Sequence, residues 1–228
     1  MVRPPYSGYG ATPRQGRDGM SGSGDIHVAG TGSFALEVAE YALDAGLTVA
    51  GLIELLDPAR VGTEVHGLPV RSADDPPARG ALAVVGAGGD RLAHWAVLDP
   101  HGWRPGTVVH PTAHVSPSAR VADGCVVAPL AVVGAASVLG EHVLVGRGAL
   151  VGHHTALDPG VVLNPGANVA GNVRLGMGAT VGMGALVADH LEVGPGAVIA
   201  AGAAVGRSVG AGVRVQGVPA RPYAAGGS

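Results

Sequence analysis

Residues 145–173 read VGRGALVGHHTALDPGVVLNPGANVAGNV, and within them Val145, Val151, Leu157, Leu163 and Val169 stand six apart. Outward in both directions the spacing holds from Val109 to Val205, seventeen Val, Leu or Ile residues with no insertion or deletion. An α-helix repeats every 3.6 residues and a strand every two, so neither needs a strict six. A β-solenoid does: each hexad supplies one short flat side and a corner, and stacked copies bury a shared core. Four positions after each stripe residue comes a second inward site that is mostly small, as at Ala113, Cys125, Ala131, Ser137, Thr155, Ala167 and Ala185. Large aliphatic plus small residue suits a narrow three-sided prism. Three hexads per coil give five to six coils, roughly 27 Å of stacked strands. Glycines in the hexad phase (Gly134, Gly140, Gly146, Gly152, Gly176, Gly182, Gly194) read as corner residues that accept a positive φ.

Around this array the chain divides into four parts. Residues 1–24 are rich in Pro, Gly, Ser and Arg without periodicity and read as a disordered leader. Residues 25–106 alternate strand and helix signals: strands at 25–29, 47–54 and 81–85, a hairpin-like excursion at 65–70, and helices at 36–45 and 90–98. That order fits an α/β domain with a small Rossmann-like parallel sheet. Residues 107–210 are the solenoid, and 211–228 a tail in which the pattern fades.

Composition sets limits on function. The chain has 40 glycines and one phenylalanine, a net charge of −3 and no basic block, which argues against nucleic-acid binding. No apolar run reaches membrane-spanning length, and no signal-peptide core precedes the first strand. The lone Cys125 rules out an internal disulfide and suits a reducing compartment, so the expectation is a soluble, cytoplasmic protein.

So regular a solenoid leaves little internal room, and departures from the hexad routine mark where chemistry can sit. His153 and His154 occupy an outward corner, close in sequence to the Asn-rich run from Asn164 to Asn172. Histidine is the side chain best suited to general-base work near neutral pH. The turn Gly30-Thr31-Gly32-Ser33-Phe34-Ala35 follows the first strand, and Glu54 closes the second. Such a turn lets backbone N–H groups approach a phosphate, and alone it would also fit a dinucleotide dehydrogenase. Gly86-Ala87-Gly88-Gly89 either lines the same crevice or serves as a plain connection. His110 and His114 do not share a face and make a poor metal site. Cys125 takes the small inward role, and Trp95 and Trp103 read as packing at the domain junction.

The ordered set of motifs resembles the sugar O- and N-acyltransferase family of left-handed β-helix proteins. That family includes sialic acid O-acetyltransferases and the N-acetyltransferases that make bacillosamine and perosamine derivatives. The resemblance rests on Gly30 to Val38, Val109-His110-Pro111 with Val115 to Ala119, His153, Ala170-Gly171-Asn172-Val173, and Gly217-Val218-Pro219-Ala220-Arg221, and it covers residues 25–222. It implies a homotrimer with acetyl-CoA in the groove between prisms and no metal. A nucleotide-linked amino sugar is then held by the N-terminal domain through Gly30, Gly32, Ser33, Glu54 and Gly86. His153 would be the base, with His154 beside it, and the Gly171 N–H the oxyanion donor. Met183 and Ala201 would line the pantetheine groove. Two departures stand out: His154 replaces the family's Asp or Glu, and Val162 a histidine that contacts CoA. Sugar O-acetylation, a trimeric zinc carbonic anhydrase of the same fold, and a non-catalytic scaffold subunit remain the alternatives.

Overall fold

The computed structural model describes residues 25–75 and 81–223, so the expected leader and the last five residues lie outside the described residues. The N-terminal domain is built on β1 (Asp25–Ala29), α1 (Ser33–Asp44), β2 (Thr48–Glu54), β3 (Glu64–Val65), β4 (Leu68–Ser72), β5 (Leu82–Val85), α2 (Arg91–Leu98) and β6 (Arg104–Pro105). The sheet runs β3-β4-β2-β1-β5-β6 and is parallel apart from the β3–β4 hairpin. Its strand residues Ile26 to Ala29, apolar but for His27, and Ala83 to Val85 are buried as expected of a sheet covered on both faces. The first helix begins three residues before the apolar spacing suggests. Gly32 takes the N-cap in extended conformation without a side-chain bond, so no capping residue advertises the start.

From β7 (Val108–Val109) to β23 (Ala204–Val205), seventeen two-residue strands follow one another at hexad spacing. From β7 to the strand Leu186–Val187 each pairs in parallel with the strand eighteen residues on, as Val126 with Leu144 and Val127 with Val145, which makes a three-sided solenoid. The stripe and the small sites fill the prism: Leu139, Val145, Leu157, Leu163, Ala167 and Ala185 are all buried in one cluster. Each buried Val or Leu contributes roughly 1.5–3 kcal/mol. The stack does not stop at Val205. Val209 bridges Val193 and β24 (Arg214–Gln216) pairs with Val198 and Ile199, at an offset of sixteen rather than eighteen. β25 (Arg221–Pro222) closes that edge in antiparallel fashion.

The hexad-phase glycines are explained by space, not by φ. None of them lies in the left-handed region. A Cβ on Gly152 would come within 2.4 Å of the Ala170 carbonyl carbon in the coil above, and on Gly182, Gly146 and Gly134 within 2.5, 2.7 and 2.8 Å of backbone atoms. The positive φ falls two residues later, and there Leu130, Ala136, His142, His154, Asn172 and His190 adopt it as well as glycine.

The N-terminal domain straddles one face of the prism. Outward residues Val108, Val126, Leu144 and Val162 are buried in a cluster with Val38, Tyr41 and Ala42 of α1. At one corner His110 Nε2 meets Asp44 at 3.0 Å and Arg147 pairs with Glu37. At the opposite corner α2 packs on His142 and Gly160 through Trp95 and Leu92. Trp103 is buried and donates to the Ala73 carbonyl at 3.1 Å. Among the described residues no helix is long and apolar enough to cross a membrane.

Candidate active site

The hexad register places Ala135, His153, Gly171 and Asp189 in one corner column, and Ala136, His154, Asn172 and His190 in the column beside it. His153 and His154 are exposed. The His153 ring lies against Gly171: a Cβ there would meet Cε1 at 2.7 Å and Nε2 at 2.8 Å. Glycine is therefore the residue that leaves room for an imidazole one coil below. The corner ladder flanks Gly171 without using its N–H. Ala170 N–H donates to Val187 O and Asn172 N–H to His153 O, both at 2.9 Å. An imidazole and a backbone N–H left out of the ladder thus stand side by side.

The two histidines meet edge to face, with Nδ1 to Nδ1 at 3.0 Å. Such a contact requires a proton on one Nδ1 only. With the proton on His153 Nδ1, its Nε2 carries an open lone pair; with the proton on His154, it does not. His154 thereby governs which nitrogen of His153 can accept a proton. In the same corner, two coils up, Asp189 and His190 bond to each other at 2.9 Å.

Beneath this corner the prism is not purely apolar. Ser137 Oγ donates to Gly152 O at 2.7 Å, and Thr155 Oγ1 donates to Ala170 O at 2.9 Å. Each hydroxyl also accepts from the coil above, from Thr155 N–H and Val173 N–H respectively at 3.3 Å. The pair stitches the carbonyls that immediately precede His153 and Gly171 to the core. Both residues fit the small inward pattern in size, and only their polar atoms on an inward stripe set them apart. Cys125 makes the same kind of bond, to Gly140 O at 3.1 Å, and burial pushes its thiol up to about 12.

The second candidate region is the crevice at the carboxyl ends of β1, β2 and β5. Gly30 has φ +125° and its N–H donates to Ile53 O. Gly86 is pressed so closely that a Cβ would lie 2.4 Å from Val28 Cγ1 and 2.9 Å from Ala35 Cα. Gly32 faces open space, and the N–H groups of Ser33 and Phe34 precede the first helical bond of α1. With no acidic side chain in that first turn, the helix end is open to an anion. Glu54 is buried, and its Oε1 accepts from the N–H groups of Leu55, Leu56 and Asp57. Thr31 Oγ1 donates to its other oxygen at 2.5 Å, and Arg60 donates in turn to Thr31 Oγ1. Burial alone would raise the Glu54 pKa, but these hydrogen bonds outweigh it and hold the carboxyl below its usual range. The Thr31–Glu54–Arg60 chain has no motif that announces it.

Between the domains lies a cavity of about 180 Å³ bordered by Phe34, Glu37, Tyr41, Gly88, Arg147 and Asn164. Arg147 and Pro165, which border it, share a corner column with Met183 and Ala201. Met183 and Ala201 are exposed there, one prism side away from His153. Six residues separate Arg147 from His153, up to roughly 20 Å of chain. One copy therefore unites His153, His154 and Gly171, and separately Gly30, Gly32, Ser33, Glu54 and Gly86, but does not bring Met183 and Ala201 to the histidines. Val162 is covered by the N-terminal domain and offers no surface to a cofactor. Among the described residues no three His, Cys, Asp or Glu side chains group as a metal site.

No family model matches the sequence, and no curated protein matches it. Solved structures do. The acetyltransferase domain of PglB from Neisseria gonorrhoeae, in complex with acetyl coenzyme A, is 32% identical with a TM-score of 0.79, over 89% of this chain and 100% of that one. PerB from Caulobacter crescentus, in complex with CoA and GDP-perosamine, is 29% identical with a TM-score of 0.80, over 88% and 97%. WeeI from Acinetobacter baumannii, 22% identical with a TM-score of 0.59, shares the fold.

Proposed function

The chain belongs to the left-handed β-helix sugar acetyltransferases, and from that premise we propose that it moves an acetyl group from acetyl-CoA to the amino group of a nucleotide-linked sugar, with His153 as the general base. One observation carries the reading: the His153 ring rests on Gly171, whose N–H is left out of the corner ladder. A sugar amine is largely protonated near neutral pH, so it first loses one proton to solvent, and only the neutral amine can attack. His153 Nε2 takes a second proton from that nitrogen as it adds to the thioester carbonyl. The oxygen that becomes negative faces the Gly171 N–H, a type of interaction that can supply about 3–4 kcal/mol. When the C–S bond breaks, His153 returns the proton to the leaving thiolate, and the products are an amide and free CoA. His154 accepts from His153 Nδ1–H and so keeps Nε2 available.

The nucleotide diphosphate sits at the open start of α1, on Gly32 and Ser33, with Gly30 and Gly86 allowing the close approach and Glu54 holding the neighbouring loop. A homotrimer completes the site. In a threefold arrangement the Met183–Ala201 corner of one copy faces the His153 corner of the next, and the pantetheine arm runs between them. The separation of those corners within a single copy supports this assembly. A free Cys125 thiol suits the cytoplasm, where we place the enzyme.

The test is thiol release from acetyl-CoA with UDP-, GDP- and dTDP-linked amino sugars, followed by mass analysis of the product before and after mild alkali. An alkali-stable product 42 mass units heavier, roughly one acetyl in place of one hydrogen, is expected. An alkali-labile ester would move the reading to O-acetylation. Nucleotide-sugar binding without turnover across the whole panel would indicate a scaffold subunit.

A further inference from the structure

Arg91 opens α2 and is fully buried, yet among the described residues no carboxylate pairs with its guanidinium. Its Nε donates to His142 O at 2.6 Å, its Nη1 donates to Ala87 O at 2.9 Å, and its Nη2 has no partner among the described residues. Burial pulls its pKa down to about 10, so it remains a cation at neutral pH. An apolar side chain of similar length would avoid the desolvation such a charge suffers, and swaps of that kind are often neutral or stabilising. Fold stability is therefore a poor account of this residue, and its two bonds point to another.

His142 belongs to a corner of the prism, where its ring stacks on Trp95 at 4.6 Å. Ala87 belongs to the loop after β5, between two glycines with different duties. Gly86 is clamped against Val28 and Ala35, at the start of α1, and Gly88 borders the interdomain cavity beside Phe34 and Glu37. The guanidinium fork thus spans from the solenoid wall to the loop that forms one side of the cavity. A rigid, planar, two-pronged donor can fix the separation of two carbonyls; an ammonium cannot.

We propose that Arg91 is a positioning residue for the acceptor: it registers the Gly86–Gly89 loop against the solenoid, so that the wall over the bound nucleotide sugar has one fixed place. This rests on the crevice being the acceptor site. The effect is specific to that substrate, because the hydrogen bonds of Arg91 go to His142 and Ala87, which lie in neither the His153 column nor the Met183–Ala201 column.

The experiment compares Arg91→Met and Arg91→Lys with the wild-type full chain. Thermal unfolding, the KM for acetyl-CoA, the KM for the accepted nucleotide sugar, and calorimetric binding of UDP, GDP and dTDP are measured. Arg91→Lys keeps the charge but reaches only one carbonyl, and it decides the matter should Arg91→Met fail to fold. The expected result is a rise of about tenfold or more in acceptor KM, matched by weaker diphosphate binding. The acetyl-CoA KM stays within about twofold and the unfolding temperature is maintained. Unchanged acceptor KM in folded Arg91→Lys, or an equal rise in both KM values with a lowered unfolding temperature, overturns the inference. Absence of diphosphate binding and turnover in the wild type defeats the acceptor site itself, a failure distinct from an unaffected variant.

Discussion

Substituting Gly171 with alanine separates the position of the base from the presence of the oxyanion donor. The N–H at 171 survives the change, and its φ lies outside the left-handed region, so alanine meets no backbone strain. The new Cβ would stand 2.7 Å from His153 Cε1, 2.8 Å from Nε2 and 3.1 Å from Nδ1. Ordinary carbon contacts begin near 3.5 Å, so the ring must withdraw by about 0.8 Å. His153 is exposed and can rotate, which limits the cost to stability to roughly 1 kcal/mol. A base displaced by about 1 Å can cost on the order of a hundredfold in rate, close to 2.7 kcal/mol of barrier. Steady-state thiol release should therefore show kcat down about a hundredfold, with acetyl-CoA KM and the unfolding temperature little changed. A folded Gly171→Ala enzyme with kcat within threefold of wild type would refute the claim that the ring's seat on Gly171 sets the chemistry.

Other expectations follow from the same geometry. His154→Asp places a fixed negative charge beside His153, stabilises its imidazolium, and should shift the acid limb of the kcat–pH profile upward by about one unit; a downward shift contradicts the pairing. Thr155→Val keeps the shape but removes the donor to Ala170 O, and should cost about 1–3 kcal/mol in urea unfolding, with no loss signifying that the corner needs no such stitch. Burial, with Arg91 adding to it, depresses His142 to about 4, and burial depresses His27 in the same direction. Because the unfolded chain binds these protons first, the stability is complete above about 6.5 and is lost as pH falls toward about 4. His142 alone accounts for about 3 kcal/mol of that loss. Urea midpoints that do not fall between pH 7.5 and 4.5 would contradict this.

The stripe from Val109 to Val205 was legible because every coil obeys one steric rule, large aliphatic inside and backbone close above. What escaped was whatever that rule does not encode. Val126, Leu144 and Val162 point outward and look no different from Val132 or Leu150, yet only the former are buried, because α1 lies over that face. The two residues missing from the last coil put Val209 and Val215 out of phase while leaving them in the core. Gly152 and its kin carried the right residue for a different reason, contact rather than dihedral freedom. His153 was visible as a break in a monotonous corner; Ser137 and Thr155 beneath it were hidden by being small. Arg91 carries no local pattern at all, since both its acceptors are backbone carbonyls, one of them 51 residues away.

The most direct trial of the account is the turnover of His153→Ala with acetyl-CoA and the accepted nucleotide amino sugar, alongside its oligomeric state and acetyl-CoA affinity. Loss of a positioned base should lower kcat by about 10²–10⁴-fold, with assembly and acetyl-CoA binding unchanged. An intact His153→Ala protein that turns over within tenfold of wild type would contradict the assignment of His153 as the base.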